Sequence, residues 1–235
     1  MIKYLQLPVQ FPVQSILNEL MHFPELSWKM HYNMRHYEGD WSVIALRSPG
    51  GDPDNIFSIH ASAGMNNNQY RNTSLLDQCP SLKQALSYFQ CEITMARLMK
   101  LNAGAIIKEH TDYDMNFEAG EARFHIPLQT NDKVDFFIQD EKIPMKEGEC
   151  WYLNLNLPHR VSNAGNTDRI HLVIDCLVND WMKEQFNNPG LLGKETTNEK
   201  PSYDVNTRSR IIESLRMLNT PVAIEMANKM EKEHD

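Results

Sequence analysis

Between residues 93 and 178 the chain is dominated by short runs in which apolar and polar positions alternate: "ITMARLMKL", "GAIIKEH", "ARFHIPLQ", "VDFFIQ", "ECWYLNL", "HRVSN" and "RIHLVIDCLV". Turn chemistry such as "KEGE" and "NAGNTD" separates them. Many short alternating strands at this spacing predict a closed or double-layered antiparallel β architecture. Upstream the elements are mixed. A short strand is expected at "IKYLQL", a helix at "VQSILNELMHF" ended by Pro24, a strand at "WSVIALRS", and turns at "PGGDPDN". Residues 60 to 80 are polar and aperiodic, which predicts a long loop of the kind that covers or contacts a substrate. "SLKQALSYFQC" then reads as an amphipathic helix opened by Ser81.

Past Asp180 the period turns helical, with "WMKEQF", a polar linker around "NNPGLLGKETTNEKPSYDVN", and two helices, "TRSRIIESLRMLN" and "TPVAIEMANKMEKE". Thr220 and Pro221 suit the N-cap and first positions of the second. The expected organisation is a mainly β protein with helical flanks: a core domain over residues 1–185 with N-terminal decoration, then a C-terminal helical extension over 186–235.

Composition narrows the function classes. At 235 residues the chain has room for one large β-rich domain with helical decoration or for two small domains, and 41% hydrophobic positions can fill a core. Lys plus Arg is 23 against 31 Asp plus Glu, a net charge of -8 with no basic stripe, which disfavours nucleic acid as a partner. Cys79, Cys91, Cys150 and Cys176 show no CxxC spacing and no signal-peptide pattern precedes them, so reduced thiols in a cytoplasmic protein are expected. No window approaches the ~18 consecutive apolar residues of a membrane helix. Composition leaves the oligomeric state open.

The chemistry concentrates where strands should end. "KEHTDYD" puts His110 and Asp112 two residues apart, a spacing that aims both side chains to one face of a strand. "LNLPHRVSN" offers His159 at the start of another strand. Two imidazoles and one carboxylate on the strands of a β-barrel, with one metal face left open, form the facial triad of non-haem Fe(II) oxygenases. Asp114 has the same parity as Asp112 but lies beyond the expected strand end. Iron of this kind commonly works with 2-oxoglutarate, whose far carboxylate needs a fixed cation, and Arg169 opens the strand after "NAGNTD". If His159 to Asn163 pairs with Arg169 to Val173 as a hairpin, the arginine shares a face with His159 and lies two residues deeper, roughly 6 to 7 Å at ~3.3 Å per residue. A guanidinium binds a carboxylate bidentately, which lysine cannot do. An ion pair with Asp168 or Asp175 is the competing use of Arg169.

A second polar set lies in "EARFHIPLQTN". Strict alternation places Phe124, Ile126 and Leu128 on one face and Arg123, His125 and Pro127 on the other, so cation and imidazole look inward together. One could hold a cosubstrate carboxylate and the other a substrate carboxylate. The alternation also permits Arg97 to face inward. His22, His31, His36, His60, His171 and His234 lack such partners and read as structural or surface residues.

"HTD", "RFHIPLQTN", "LPHRVSN" and "DRIHLVIDC" together resemble the aspartyl/asparaginyl β-hydroxylase family of Fe(II)/2-oxoglutarate dioxygenases, in particular the bacterial branch that contains proline 3-hydroxylase. The resemblance spans roughly residues 85 to 185. It implies a double-stranded β-helix (jelly-roll, cupin-like) core, with His110, Asp112 and His159 as iron ligands and Arg169 as anchor for the distal 2-oxoglutarate carboxylate. It also implies that His125 assists at a cosubstrate carboxylate and that Arg123 contacts a substrate carboxylate. The implied activity is hydroxylation of a C–H bond in a free amino acid or small derivative, using O2 and releasing succinate and CO2. The alternative is a cupin-type metal-dependent isomerase or dioxygenase that does not use 2-oxoglutarate.

Overall fold

The computed structural model describes residues 1–22, 28–56, 69–112, 115–188, 191–195 and 205–218, with 224, 227, 228 and 231. The chain forms two compact units, Met1–Thr196 and Thr197–Asp235. The first is built on two antiparallel sheets. Its strands are β1 (Ile2–Gln10), β2 (Lys29–Met30), β3 (Tyr37–Glu38), β4 (Trp41–Pro49), β5 (Tyr70–Asn72), β6 (Ile93–Leu101) and β7 (Ile106–His110), then β8 (Glu121–Gln129), β9 (Val134–Ile138), β10 (Glu141–Lys142), β11 (Glu149–Leu153), β12 (His159–Asn163), β13 (Arg169–Leu177) and β14 (Gly193–Glu195). Among the described residues the larger sheet runs β14-β1-β11-β8-β13-β6-β4-β2, with β5 on β4, and the smaller runs β10-β9-β12-β7-β3. This is a double-stranded β-helix.

Alternation along the larger sheet explains the layering. Phe124, Ile126 and Leu128 of β8, with Leu172 and Ile174 of β13, pack outward against the helices α1 (Val13–Met21), α3 (Pro80–Ser87) and α4 (Asp180–Phe186). The intervening residues Val43, Met99, Leu101, Trp151 and Val173 face the smaller sheet, whose Ile107, Phe136, Ile138 and Val161 complete a second core. That second core is lined on one side by the site described below. Ring contacts of Phe124 with Phe89, Tyr152 and Phe186 tie helices to sheet in the outer core.

Several expectations change. The short first strand extends through Pro8 to Gln10, and the β1–β11 register shifts between Leu7 and Gln10, where a proline cannot donate to the ladder. The expected loop at 60–80 contains β5 and the helix α2 (Ser74–Asp77), capped by Thr73; residues 60–68, His60 included, lie outside the described residues. Helix α3 starts at Pro80 with Cys79 in the N-cap place, so Ser81 is not its cap. Instead the Glu19 carboxylate of α1 accepts from the Ser81 amide at 2.9 and 3.0 Å and from its hydroxyl at 2.6 Å. The linker read past 186 contains β14, which pairs with β1 and carries the first unit to Thr196.

The largest correction concerns the hairpin of His159 to Asn163 with Arg169 to Val173. β12 pairs with β7 and β9 in the smaller sheet, whereas β13 pairs with β6 and β8 in the larger one. The buried Asn163 side chain redirects the chain: its amide donates to the carbonyls of Leu101 and Thr167 at 3.1 and 2.9 Å, and its oxygen accepts from Gly165 N at 3.2 Å. A corner between sheets and a hairpin have the same alternation in sequence. Arg169 and His159 therefore reach the interior from opposite walls, and the depth inferred from a shared hairpin does not hold.

In the second unit α5 (Val205–Leu218) carries Arg216, whose Nη2 bridges both oxygens of Glu231 at 2.8 Å. The final helix expected at 220–233, with Thr220 and Pro221, falls mostly outside the described residues, as do Pro24 and His234. No helix among the described residues is long and apolar enough to cross a membrane. All four cysteines are free thiols.

Candidate metal and cosubstrate site

A cavity of ≈ 320 Å³ opens between the sheets, at the small end of the ~300–1,000 Å³ typical of ligand sites. His110, Asp112 and His159 meet on its wall. His110 is the last residue of β7, and the β7–β12 register sets it opposite His159. Asp112 lies just past the strand end, where its amide donates to Leu155 O at 2.8 Å, so this backbone bond rather than strand parity turns its carboxylate inward. One ligand atom from each of the three lies within 4.8 Å of the others, and His110 Nε2 is 3.8 Å from Asp112 Oδ1. Asp114 lies outside the described residues.

The donor set is ready for a cation. His110 Nδ1 sits 2.8 Å from Lys108 O and His159 Nδ1 sits 3.0 Å from Leu157 O. Carbonyls only accept, so each Nδ1 carries a proton, and in the neutral imidazole that tautomer leaves the Nε2 lone pair for the cavity. Burial, then the neighbouring His110, pushes His159 down to about 4, so it is neutral near pH 7. Burial alone would raise the Asp112 carboxyl, but Arg123 and the two imidazoles carry it below the usual carboxylate range. Metal binding needs neutral imidazoles and an ionised carboxylate.

The inward face of β13 supplies the deeper wall. Arg169 is buried, lines the cavity and donates from Nη2 to His171 Nδ1 at 2.9 Å. Among the described residues no carboxylate pairs with it and its Nε has no partner. Burial lowers its pKa to about 9, so it stays charged at neutral pH. The competing ion pairs are not formed: Asp168 Oδ1 accepts from Ala103 N, and Asp175 is taken by Arg97 and Arg123. His125 also faces the cavity, its Nδ1 3.3 Å from His171 Nδ1 and its buried Nε2 without a partner among the described residues. Burial, then Arg169, holds it well below the usual imidazole range.

Arg123 is engaged rather than waiting. Its Nη1 donates to Asp112 Oδ2 at 2.5 Å, and its Nε and Nη2 donate to Asp175 at 2.5 and 2.9 Å. Arg97 Nη2 donates to the same Asp175 at 2.6 Å, and its buried Nε has no partner among the described residues. In the sequence alone Asp175 reads as a rival partner of Arg169 and His171 as a structural residue. The alternation of "RIHLVID" carried the signal for both, because it places Arg169, His171, Val173 and Asp175 on one face. At the mouth, His31 stacks on Trp41 with ring centroids 3.6 Å apart, and His36 lies 5.1 Å from the His110 ring. No periodic pattern in the sequence marks that rim.

Acid should expose the buried neutral histidines. The folded pKa of His159, about 4, and of His31, about 3, lie below the ~6.5 of an unfolded chain. Between those values the unfolded state binds more protons, so stability falls as the pH is lowered through the window. His125 and His171 act in the same direction. We expect the Tm of the chelator-treated protein to decline steadily from about pH 7 to about pH 4. A Tm that stays flat over that range would contradict the buried neutral state.

Comparison with known proteins adds an independent finding. A family model described as aspartyl/asparaginyl beta-hydroxylase matches residues 11–178. The L-proline cis-4-hydroxylase of Rhizobium meliloti (strain 1021) is 29% identical over 141 residues, 58% of this chain and 48% of that protein. The chain thus spans about half the length of that curated relative. A Pseudomonas putida prolyl-4-hydroxylase structure covers 76% of this chain and 94% of its own at 11% identity and TM-score 0.45. The viral collagen prolyl hydroxylase of Paramecium Bursaria Chlorella virus-1, in a 2OG complex, covers 75% and 97% at 9% identity and TM-score 0.44. Likenesses this loose decide nothing about the reaction.

Proposed function

Because the chain belongs to the aspartyl/asparaginyl β-hydroxylase family, we propose that it is an Fe(II)- and 2-oxoglutarate-dependent hydroxylase of a free amino acid or small amino-acid derivative. One observation carries this reading. A triad with an open face shares its cavity with Arg169, a buried cation for which the described residues supply no anion. A desolvated charge without a counter-charge is costly, and a dianionic cosubstrate removes that cost.

In this reading His110 Nε2, Asp112 and His159 Nε2 hold the iron. Bound iron and 2-oxoglutarate supply the oxygen activation, with succinate and CO2 as products. Arg169 receives the distal carboxylate of 2-oxoglutarate, and His125 faces the same cosubstrate, where a carboxylate would call for a proton on its Nε2. The substrate carboxylate meets the inward pair Arg97 and Arg123. Arg123, held by Asp112 and Asp175, offers a fixed charge, and Arg97 offers an Nε that has no partner among the described residues. The small cavity suits a small molecule rather than a folded partner.

The resemblance to an L-proline cis-4-hydroxylase puts cyclic and aliphatic amino acids first in the search. Incubating the protein with Fe(II), 2-oxoglutarate and a panel of the amino acids and their N-acyl forms should yield a product one oxygen atom heavier than its parent, detected by mass spectrometry. If no carboxylate-bearing compound gains oxygen while another class does, the substrate assignment is wrong.

A further inference from the structure

We propose that Asp175 is a positioning residue for the metal ligand Asp112, acting through Arg123; the inference rests on the triad reading above. Asp175 sits on β13, the strand between β6 and β8. The β13–β8 register sets it directly opposite Arg123, and Arg97 reaches it from β6 on the other side. The β13–β6 register shifts at Asp175 and Cys176, and the Thr94 hydroxyl donates to the Asp175 carbonyl at 3.1 Å inside that irregularity. Irregularities of this kind re-aim side chains next to functional sites.

The geometry leaves Arg123 little freedom. A guanidinium is planar, so once Nε and Nη2 grip the two oxygens of Asp175 the direction of Nη1 is set. That nitrogen donates to Asp112 Oδ2 at 2.5 Å, while Asp112 Oδ1 is the oxygen facing His110 Nε2 at 3.8 Å. Holding one carboxylate oxygen by a guanidinium presents the other as a single donor. The chain Arg97–Asp175–Arg123–Asp112 thus alternates in charge and ends on the ligand. Had Asp175 only to neutralise Arg97, the fork to Arg123 would be unnecessary. Outer partners that orient ligands are typically worth 10- to 100-fold in metal affinity.

Co(II) alone is the probe, because its visible absorption reports the ligand field without cosubstrate or turnover. Wild type should bind one Co(II), and His159→Ala should lose that binding. Asp175→Asn should weaken Co(II) binding about 10- to 100-fold and alter the spectrum of the protein that remains folded. Arg123→Lys should do the same, and the double variant should be no worse than the weaker single one, since both cut the same chain. If Asp175→Asn does not fold, Arg97→Lys loosens Asp175 while leaving Arg123 and Asp112 intact, and should still shift the spectrum. Wild-type spectrum and affinity in whichever of these two variants folds would overturn the proposal while the triad stands. Co(II) binding indifferent to His159→Ala would overturn the triad reading, and this proposal with it.

Discussion

Replacement of His159 by alanine is expected to abolish metal binding and turnover while the fold survives. His159 is buried, faces His110 across the β7–β12 ladder, and has its Nδ1 occupied by Leu157 O, so its one free nitrogen is the one aimed into the cavity. Its removal takes one of three donors, and the loss should exceed the roughly 100-fold upper range of an outer-partner change. The hole left is lined partly by Phe136, whose ring lies parallel to the imidazole at 6.3 Å, and the surrounding ladder bonds are backbone bonds that alanine keeps. Circular dichroism should therefore be unchanged. A His159→Ala protein that retains full hydroxylation would remove His159 from the triad.

The second large effect is expected at Arg169. Arg169→Lys replaces a planar fork by a point charge in a buried site, and lysine cannot place two parallel N–H bonds on one carboxylate. A charge-assisted hydrogen bond is worth about 1.5 to 3 kcal/mol, so the 2-oxoglutarate requirement should rise roughly 10- to 100-fold. Metal affinity should hardly move, since Arg169 is not among the ligand residues. An unchanged KM for 2-oxoglutarate would mean that Arg169 is structural and that the anchor lies elsewhere, Arg97 being the next cation on the cavity wall.

Much of this was legible because period-two alternation is a local signal. The strands from Ile93 to Leu177 other than the two-residue β10, and the inward facing of Arg123 and His125, follow from alternation alone. The convergence of His110, Asp112 and His159 was also readable, although Asp112 owes its aim to a backbone bond past the strand end. What alternation cannot tell is which sheet a strand joins. The turn after Asn163 looks like a hairpin in sequence, and long-range bonds of its buried side chain, which donates to Leu101 O and accepts from Asn131 Nδ2, turn it into a corner. The same blindness hid the partner of Arg123. A side chain known to point inward can meet a ligand or a neighbouring strand, and here the neighbour, Asp175, lies 52 residues away in the chain.

The rim was harder still. His31, Asn33 and His36 come from a stretch with two short strands and a 3-10 turn, where no periodicity exists to read. Stacking of His31 on Trp41 places that stretch over the cavity, and such ring contacts leave no trace in a pattern of polar and apolar positions.

The most direct test of the central claim is to load the purified protein with Fe(II), supply 2-oxoglutarate and the substrate identified from the panel, and follow O2 uptake and succinate release together. The account predicts one succinate formed for each O2 consumed, dependent on added Fe(II) and lost in His159→Ala. O2 consumption without succinate, or product formed in the absence of 2-oxoglutarate, would contradict it and point to a metalloenzyme that uses the same triad without a cosubstrate.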